Sequence, residues 1–110
     1  MKELLHIQEA GKVFEKSGVI PFGTPMTYAA LLEALSVRLN SMILNEFSSL
    51  VQLLYTMDIA EEKLKSALRE HDNENAGKVI AAMMIERQLE KIRTREMFRK
   101  DHDIAEEDRW

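Results

Sequence analysis

Cysteine is absent from this chain of 110 residues, which excludes disulfide bonds and thiolate-ligated metal sites. No run of about 18 apolar residues occurs, so the sequence predicts no membrane span. The first residues also lack the uninterrupted apolar stretch of a signal peptide, because Lys2, Glu3 and His6 are polar. Together these absences predict a soluble, cytoplasmic protein without a membrane partner.

A surplus of positive charge is missing as well. Fifteen Lys and Arg residues stand against nineteen Asp and Glu residues, and the formal net charge at pH 7 is −4. A dedicated nucleic-acid-binding protein needs an excess of Lys and Arg on one face, because it must neutralise phosphates. The charge balance therefore argues against a nucleic-acid partner.

Residues that interrupt helices are few. The chain has four Gly and two Pro, and four of these six residues lie between Gly18 and Pro25. Hydrophobic residues make up 45% of the chain and charged residues 31%, a balance typical of folded globular proteins. We therefore predict one all-α domain over residues 1–110. Its predicted elements are a short N-terminal helix at 1–16, a Gly/Pro loop at 17–26, a long helix at 27–57, helices at 58–70 and 75–100, and an acidic tail at 101–110.

The predicted long helix is the most informative segment. Apolar residues recur at spacings of three and four from Tyr28 to Met57 and form one continuous face. About 31 residues would span roughly 46 Å as a straight helix, whereas a compact chain of this length has a radius of gyration of only about 13 Å. The helix is therefore expected to bend, to make the molecule elongated, or to belong to a dimer.

The opposite side of this helix is polar but almost uncharged. Between Ala34 and Met57 only Arg38 and Glu46 carry a charge, whereas the solvated face of a helix usually carries charged residues. Small, uncharged side chains suit close helix–helix contact, so we expect homodimerisation through this helix. Burial of both sides within a monomeric bundle is the alternative. The residues expected at the interface are Leu39, Ile43, Phe47, Ser48, Leu50, Val51 and Leu54.

Glu46 stands in register with Leu39 and Leu53, in the middle of the predicted apolar face. An unpaired buried carboxylate is costly. One hypothesis makes Glu46 a metal ligand or an acid in the core of the bundle. The interpretation that we favour is a salt bridge to Arg87 or Arg93 of the last long helix, or an opening at the edge of the bundle.

Glu3 and His6 have the Glu-x-x-His spacing of carboxylate-bridged di-iron bundles. Those sites need two such pairs and two further inward-facing glutamates, and this chain has one pair. Glu46, Glu3 and His6 are therefore the only candidates for a metal-binding or catalytic bundle. Because no catalytic motif or nucleotide-binding loop occurs, the sequence favours a non-enzymatic protein without a cofactor.

A basic segment is the third candidate site. Residues 86–100 contain six Lys and Arg residues among three glutamates. Weak nucleic-acid binding is one interpretation of this pattern. The other is a solvated helix face with mixed pairs such as Arg93–Glu96 and Glu96–Lys100.

Two stretches of the C-terminal half, LLYTMDIAEEKL at 53–64 and IERQLEKIRTRE at 85–96, resemble short helical proteins of the Bacteroidetes to which no role is assigned. The resemblance implies a small bacterial helical protein and transfers no functional residues. We expect an up-and-down bundle of three to four helices around one long central helix, completed by dimerisation. The expected function is a protein–protein interaction or structural module that self-associates, and another helical protein is the alternative partner.

Overall fold

The structure is a computed structural model that describes the backbone of residues 2–108 and the side chains of residues 4–72 and 75–99. Its helices contain 81% of the chain, and the described backbone has no strand. The prediction of an all-α fold is therefore confirmed. The five helices are α1 (Lys2–Lys16), α2 (Tyr28–Asn45), α3 (Phe47–Thr56), α4 (Glu61–Glu70) and α5 (Asn73–Asp108).

The loop between α1 and α2 is fixed at both ends by local signals. Gly18 has a φ of 75°, a conformation that ends a helix at little cost for glycine. The amide of Val19 then donates to the carbonyl of Phe14 at 3.1 Å. At the other end, Thr27 caps α2 by accepting a hydrogen bond from the amide of Ala30 at 3.2 Å. The loop packs against the core through the buried side chains of Val19 and Ile20.

The predicted long helix at 27–57 is wrong as a single helix, because the chain breaks at Glu46. Glu46 has φ −142° and ψ 52°, outside the helical region, and separates α2 from α3. Leu39 on one side of the break and Leu50 on the other are both completely buried. The bend keeps the apolar residues of both helices against one core.

The turn between α3 and α4 also differs from the prediction. The sequence predicts a helix from residue 58, but Asp58 has a φ of 59° and belongs to the turn that ends α3. The amide of Ile59 donates to the carbonyl of Leu54 at 2.9 Å and closes this turn. Because a left-handed residue cannot lie inside a right-handed helix, α4 begins only at Glu61.

The longest helix is α5, which begins at Asn73 and continues to Asp108. Asp72 caps it by accepting a hydrogen bond from the amide of Asn75 at 2.9 Å. The predicted helix at 75–100 is therefore extended, and most of the predicted acidic tail at 101–110 is helical backbone. Residues 109 and 110 lie outside the described residues. A helix of 36 residues spans roughly 54 Å, which accounts for the 58 Å long axis of the molecule.

Helix α5 packs against α2, α1 and α4 and is the central helix of the fold. It comes close to α2 at Gly77. A Cβ atom at that position would overlap the Asn40 side chain and lie 3.3 Å from the carbonyl oxygen of Ser36. Glycine leaves room for the Asn40 side chain at this crossing, and a larger residue would have to displace it. The predicted central long helix thus exists, but it is α5 rather than residues 27–57.

Candidate interaction surface

The exposed side of α2 and α3 is the part of the molecule that most resembles a contact surface. Val37, Leu44 and Tyr55 are large apolar residues, and 66%, 68% and 82% of their respective surfaces remain exposed. Exposed Ser, Asn and Gln side chains surround them. We call this surface the α2–α3 outer face. Its exposed residues are Val37, Ser41, Leu44, Asn45, Glu46, Phe47, Ser48, Ser49, Gln52 and Tyr55.

The break at Glu46 gives this face its one ion pair. Arg38 Nη1 donates to Glu46 Oε2 at 3.0 Å, and the two side chains are 40% and 42% exposed. The prediction that Glu46 lies in the middle of a buried apolar face is therefore wrong. The favoured salt bridge to an arginine of the last long helix is not the one observed, because the partner of Glu46 is Arg38 of α2. Because the bend turns residue 46 away from the core, its carboxylate stays hydrated.

The predicted interface residues divide into two groups. Leu39, Leu50 and Leu54 are buried in the core of this single chain, so a second chain cannot contact them in this fold. Ile43 and Val51 are partly buried and pack against the same core. Phe47 and Ser48 are exposed, so only these two of the seven predicted residues lie fully on the surface.

The sequence prediction missed Val37, Leu44 and Tyr55 as exposed apolar residues. A signal for them exists, because all three lie near Ser41 and Ser48 on a helical wheel, on the side with small polar residues. The α2–α3 outer face continues onto a neighbouring groove of about 620 Å³ between α2 and the loop that follows α1. Val37, Arg38 and Ser41 line one side of this groove.

The metal-site candidates are not brought together. His6 Nε2 lies 3.0 Å from Glu96 Oε2 and joins α1 to α5, whereas Glu46 pairs with Arg38 at the end of α2. His6 is buried, and its Nδ1 has no hydrogen-bond partner among the described atoms. The side chain of Glu3 lies outside the described residues. Across the side chains that the structure places, no group of three or more His, Asp or Glu residues could hold a metal ion.

The basic segment of α5 carries cations that are largely paired with acids. Lys91 Nζ donates to Asp58 Oδ2 at 2.6 Å. Arg87 lies 3.2 Å from Glu90 on the same helix, and Arg95 lies 3.7 Å from Glu9 of α1. These contacts join α5 to its neighbours and reduce the free positive charge that phosphate binding would require.

A titratable group is clearly perturbed at the Asp58–Lys91 pair. The hydrogen bond from Lys91 and the charge of its ammonium group lower the pKa of Asp58 below its ordinary value. The pair borders a groove of about 470 Å³ between the start of α4 and α5, which is lined by side chains of both charge signs. It fixes the α3–α4 turn against α5, and its geometry fits a structural role.

No family model, curated protein or solved structure matches the chain. In the part of the chain that the structure describes, no helix is both long enough and apolar enough to cross a membrane.

Proposed function

We propose that this chain is a non-enzymatic helical interaction module that self-associates through the α2–α3 outer face. The observation that carries the proposal is the exposure of Val37, Leu44 and Tyr55 on a nearly uncharged surface. Removing apolar surface from water is favourable by about 25 cal/mol per Å². Burying a face whose two charges already neutralise each other avoids the cost of an unpaired buried charge.

Charge favours a second copy of the chain as the partner. The chain has a net charge of −4, so two copies repel each other most weakly where they meet through neutral surface. Arg38 and Glu46 stand side by side on this face. A twofold axis passing between Arg38 and Glu46 would bring Arg38 of each copy towards Glu46 of the other, so the face complements itself.

In this proposal two copies complete an up-and-down bundle by packing α2 and α3 of one chain against α2 and α3 of the other. The predicted contact through residues 27–57 is thereby kept, but it moves from the inward-facing leucines to the outward-facing side. A different helical protein on the same face is the competing partner, and the oligomeric state of the purified chain separates the two.

The test is the mass of the purified chain by light scattering at micromolar concentration, in about 0.5 M salt to screen charge–charge attraction. Wild-type protein is expected at about 25 kDa, twice the monomer mass of 12.7 kDa. Leu44→Glu places a charge in the middle of the α2–α3 outer face and is expected to give the monomer mass. Phe22→Glu is the matched control, because Phe22 is also a large exposed apolar residue but lies in the loop between α1 and α2, outside the α2–α3 outer face.

Circular dichroism and thermal unfolding show that both variants remain folded. A wild-type chain that stays monomeric on concentration overturns self-association. A dimer that Leu44→Glu leaves intact, or one that Phe22→Glu dissociates equally, places the contact elsewhere and overturns the assignment of the surface.

A further inference from the structure

The C-terminal part of α5 extends beyond the hydrophobic core. Ile92 is the last described residue of α5 that is buried, and every side chain from Arg93 to Arg99 is exposed. The helical backbone nevertheless continues to Asp108. We call residues 93–108 the α5 arm. Sixteen residues of helix are roughly 24 Å long, so the arm is long enough to pack against another helix.

The base of the α5 arm carries an exposed apolar patch. Met97 and Phe98 are 66% and 74% exposed. The pairs His6–Glu96 and Glu9–Arg95 show that α1 runs antiparallel to α5 at this end. The exposed Leu4 and Leu5 at the start of α1 therefore lie at the same end as Met97 and Phe98. Clustered apolar side chains on a protein surface commonly mark an interaction site.

The distribution of charge along this end of α5 is markedly asymmetric. Within the arm, residues 93–100 contain four basic residues and one acidic residue, of which Arg95 and Glu96 already face Glu9 and His6 of α1, and residues 101–108 contain five acidic residues and no Lys or Arg. Two such helices attract each other when they are antiparallel and cross near residues 100 and 101, because each basic half then meets an acidic half. A parallel arrangement would place like charges together.

The apolar residues agree with the same register. In an antiparallel pair centred between residues 100 and 101, Met97 of one copy lies level with residue 104 of the other, which is isoleucine. Arg95 lies level with residue 106, which is glutamate. The register that matches opposite charges therefore also places Met97 level with an apolar residue.

We propose that the α5 arm binds the α5 arm of a second copy of this chain, antiparallel and centred near residues 100 and 101. This contact is separate from the α2–α3 outer face and does not depend on it. A nucleic acid is a poor occupant, because the acidic half of the arm would repel phosphate. An entirely acidic protein is repelled in the same way, whereas a second α5 arm presents a charge of opposite sign to each half.

The experiment uses full-length protein in a Leu44→Glu background, so that the α2–α3 outer face does not contribute. This parent is expected to dimerise by sedimentation analysis in about 0.05 M salt, and its dissociation constant is expected to rise by about tenfold in about 0.5 M salt. Met97→Glu, added to the parent, removes part of the apolar patch and is expected to abolish dimerisation.

A charge exchange tests the antiparallel register. One variant carries Arg95→Glu, Arg99→Glu and Lys100→Glu, and the other carries Asp101→Lys, Asp103→Lys and Glu106→Lys, each in the Leu44→Glu background. Each variant alone is expected to stay monomeric, because both halves of its arm then have the same sign. An equimolar mixture is expected to form a heterodimer, since the basic arm of one variant meets the acidic arm of the other.

A general loss of folding cannot produce this rescue, because two unfolded variants do not restore each other. A parent that is monomeric at low salt, or a mixture that is no more associated than its components, overturns the proposal. The experiments on the two contacts have independent outcomes. Loss of the α5-arm contact leaves the high-salt dimer of wild-type protein unchanged, and loss of the α2–α3 contact leaves the low-salt dimer of the parent unchanged.

Discussion

Arg38 and Glu46 form an ion pair across the point where α2 ends, with Arg38 Nη1 3.0 Å from Glu46 Oε2. They are also the only charged residues between Ala34 and Met57. Each is about two-fifths exposed, so the pair remains in contact with water and neutralises the surface around it. The residue that the sequence marks as a buried carboxylate thus helps to make the outer face of these helices neutral.

The exposure of the Arg38–Glu46 pair predicts a small contribution to stability. Arg38→Ala and Glu46→Ala are each expected to lower the free energy of unfolding by less than about 1 kcal/mol, because exposed ion pairs contribute little. Urea unfolding of both single variants and the double variant measures the coupling between them. A loss above about 2 kcal/mol for Glu46→Ala would indicate a desolvated carboxylate and contradict the exposed position.

Two leucines of α2 are expected to respond very differently to the same substitution. Leu39→Ala removes a completely buried side chain, so it is expected to cost about 2–5 kcal/mol. Leu44→Ala changes a mostly exposed side chain, so it is expected to cost less than about 1 kcal/mol when unfolding is measured on dilute, monomeric protein. Equal losses in urea unfolding would mean that α2 is rotated relative to the core.

The close crossing of α5 and α2 predicts that Gly77→Ala changes the stability in the opposite direction from an ordinary glycine-to-alanine substitution inside a helix. Glycine to alanine inside a helix normally stabilises by about 1 kcal/mol. Gly77→Ala is expected to destabilise instead, by about 1–3 kcal/mol, because its Cβ would overlap Asn40 next to the backbone of α2. Thermal unfolding measures both the sign and the size of the effect.

Gly11→Ala is the comparison for this substitution. Its nearest neighbour is the flexible Met26 side chain, which can move aside, so the loss there is expected to be smaller than at Gly77. Lys78→Ala, at an exposed position of α5, is the neutral control. A stabilising Gly77→Ala variant would show that the two helices lie further apart than the structure has them.

The lowered pKa of Asp58 predicts a pH-dependent part of the stability. The pair with Lys91 favours the charged carboxylate in the folded state. Its stabilisation is therefore fully present above the pKa of Asp58 in the unfolded chain, and it is lost as the pH falls through the lower pKa in the folded chain. Wild-type protein is expected to exceed Asp58→Asn in stability at neutral pH, and this difference is expected to disappear in acid.

Asparagine is the suitable replacement at this position, because it tolerates the left-handed backbone of residue 58 as aspartate does. Asp58→Ala is expected to lose additional stability at every pH, since alanine adopts that conformation less readily. Urea unfolding across the acidic and neutral range tests both statements. A difference between wild type and Asp58→Asn that does not change with pH would contradict the ion pair.

The helical content and several helix ends follow from local signals in the sequence. The Gly/Pro-rich loop separates α1 from α2 because its residues interrupt a helix in any context. Thr27 and Asp72 cap the helices that follow them, since their side-chain oxygens reach the free amides of the first turn. These preferences act over a few residues, so the sequence alone is sufficient to recognise them.

The break at Glu46 has no such signal. No glycine or proline occurs between Gly23 and Gly77 except Pro25, and the apolar period continues through residue 46 without interruption. A straight helix and a bent pair of helices present the same period to the core. Tertiary contacts decide between the two: α2 packs against α5, and the buried Leu50 and Leu54 of α3 belong to the same core.

The sequence by itself determined that this protein is helical, where its breakers and several of its caps lie, and that its second quarter carries almost no charge. The tertiary structure decided which side of that charge-poor segment is the surface. Leu39 and Leu44 are chemically identical, and α2 buries the first and exposes the second. Burial depends on which helices pack together, and that is a property of contacts between residues far apart in the chain.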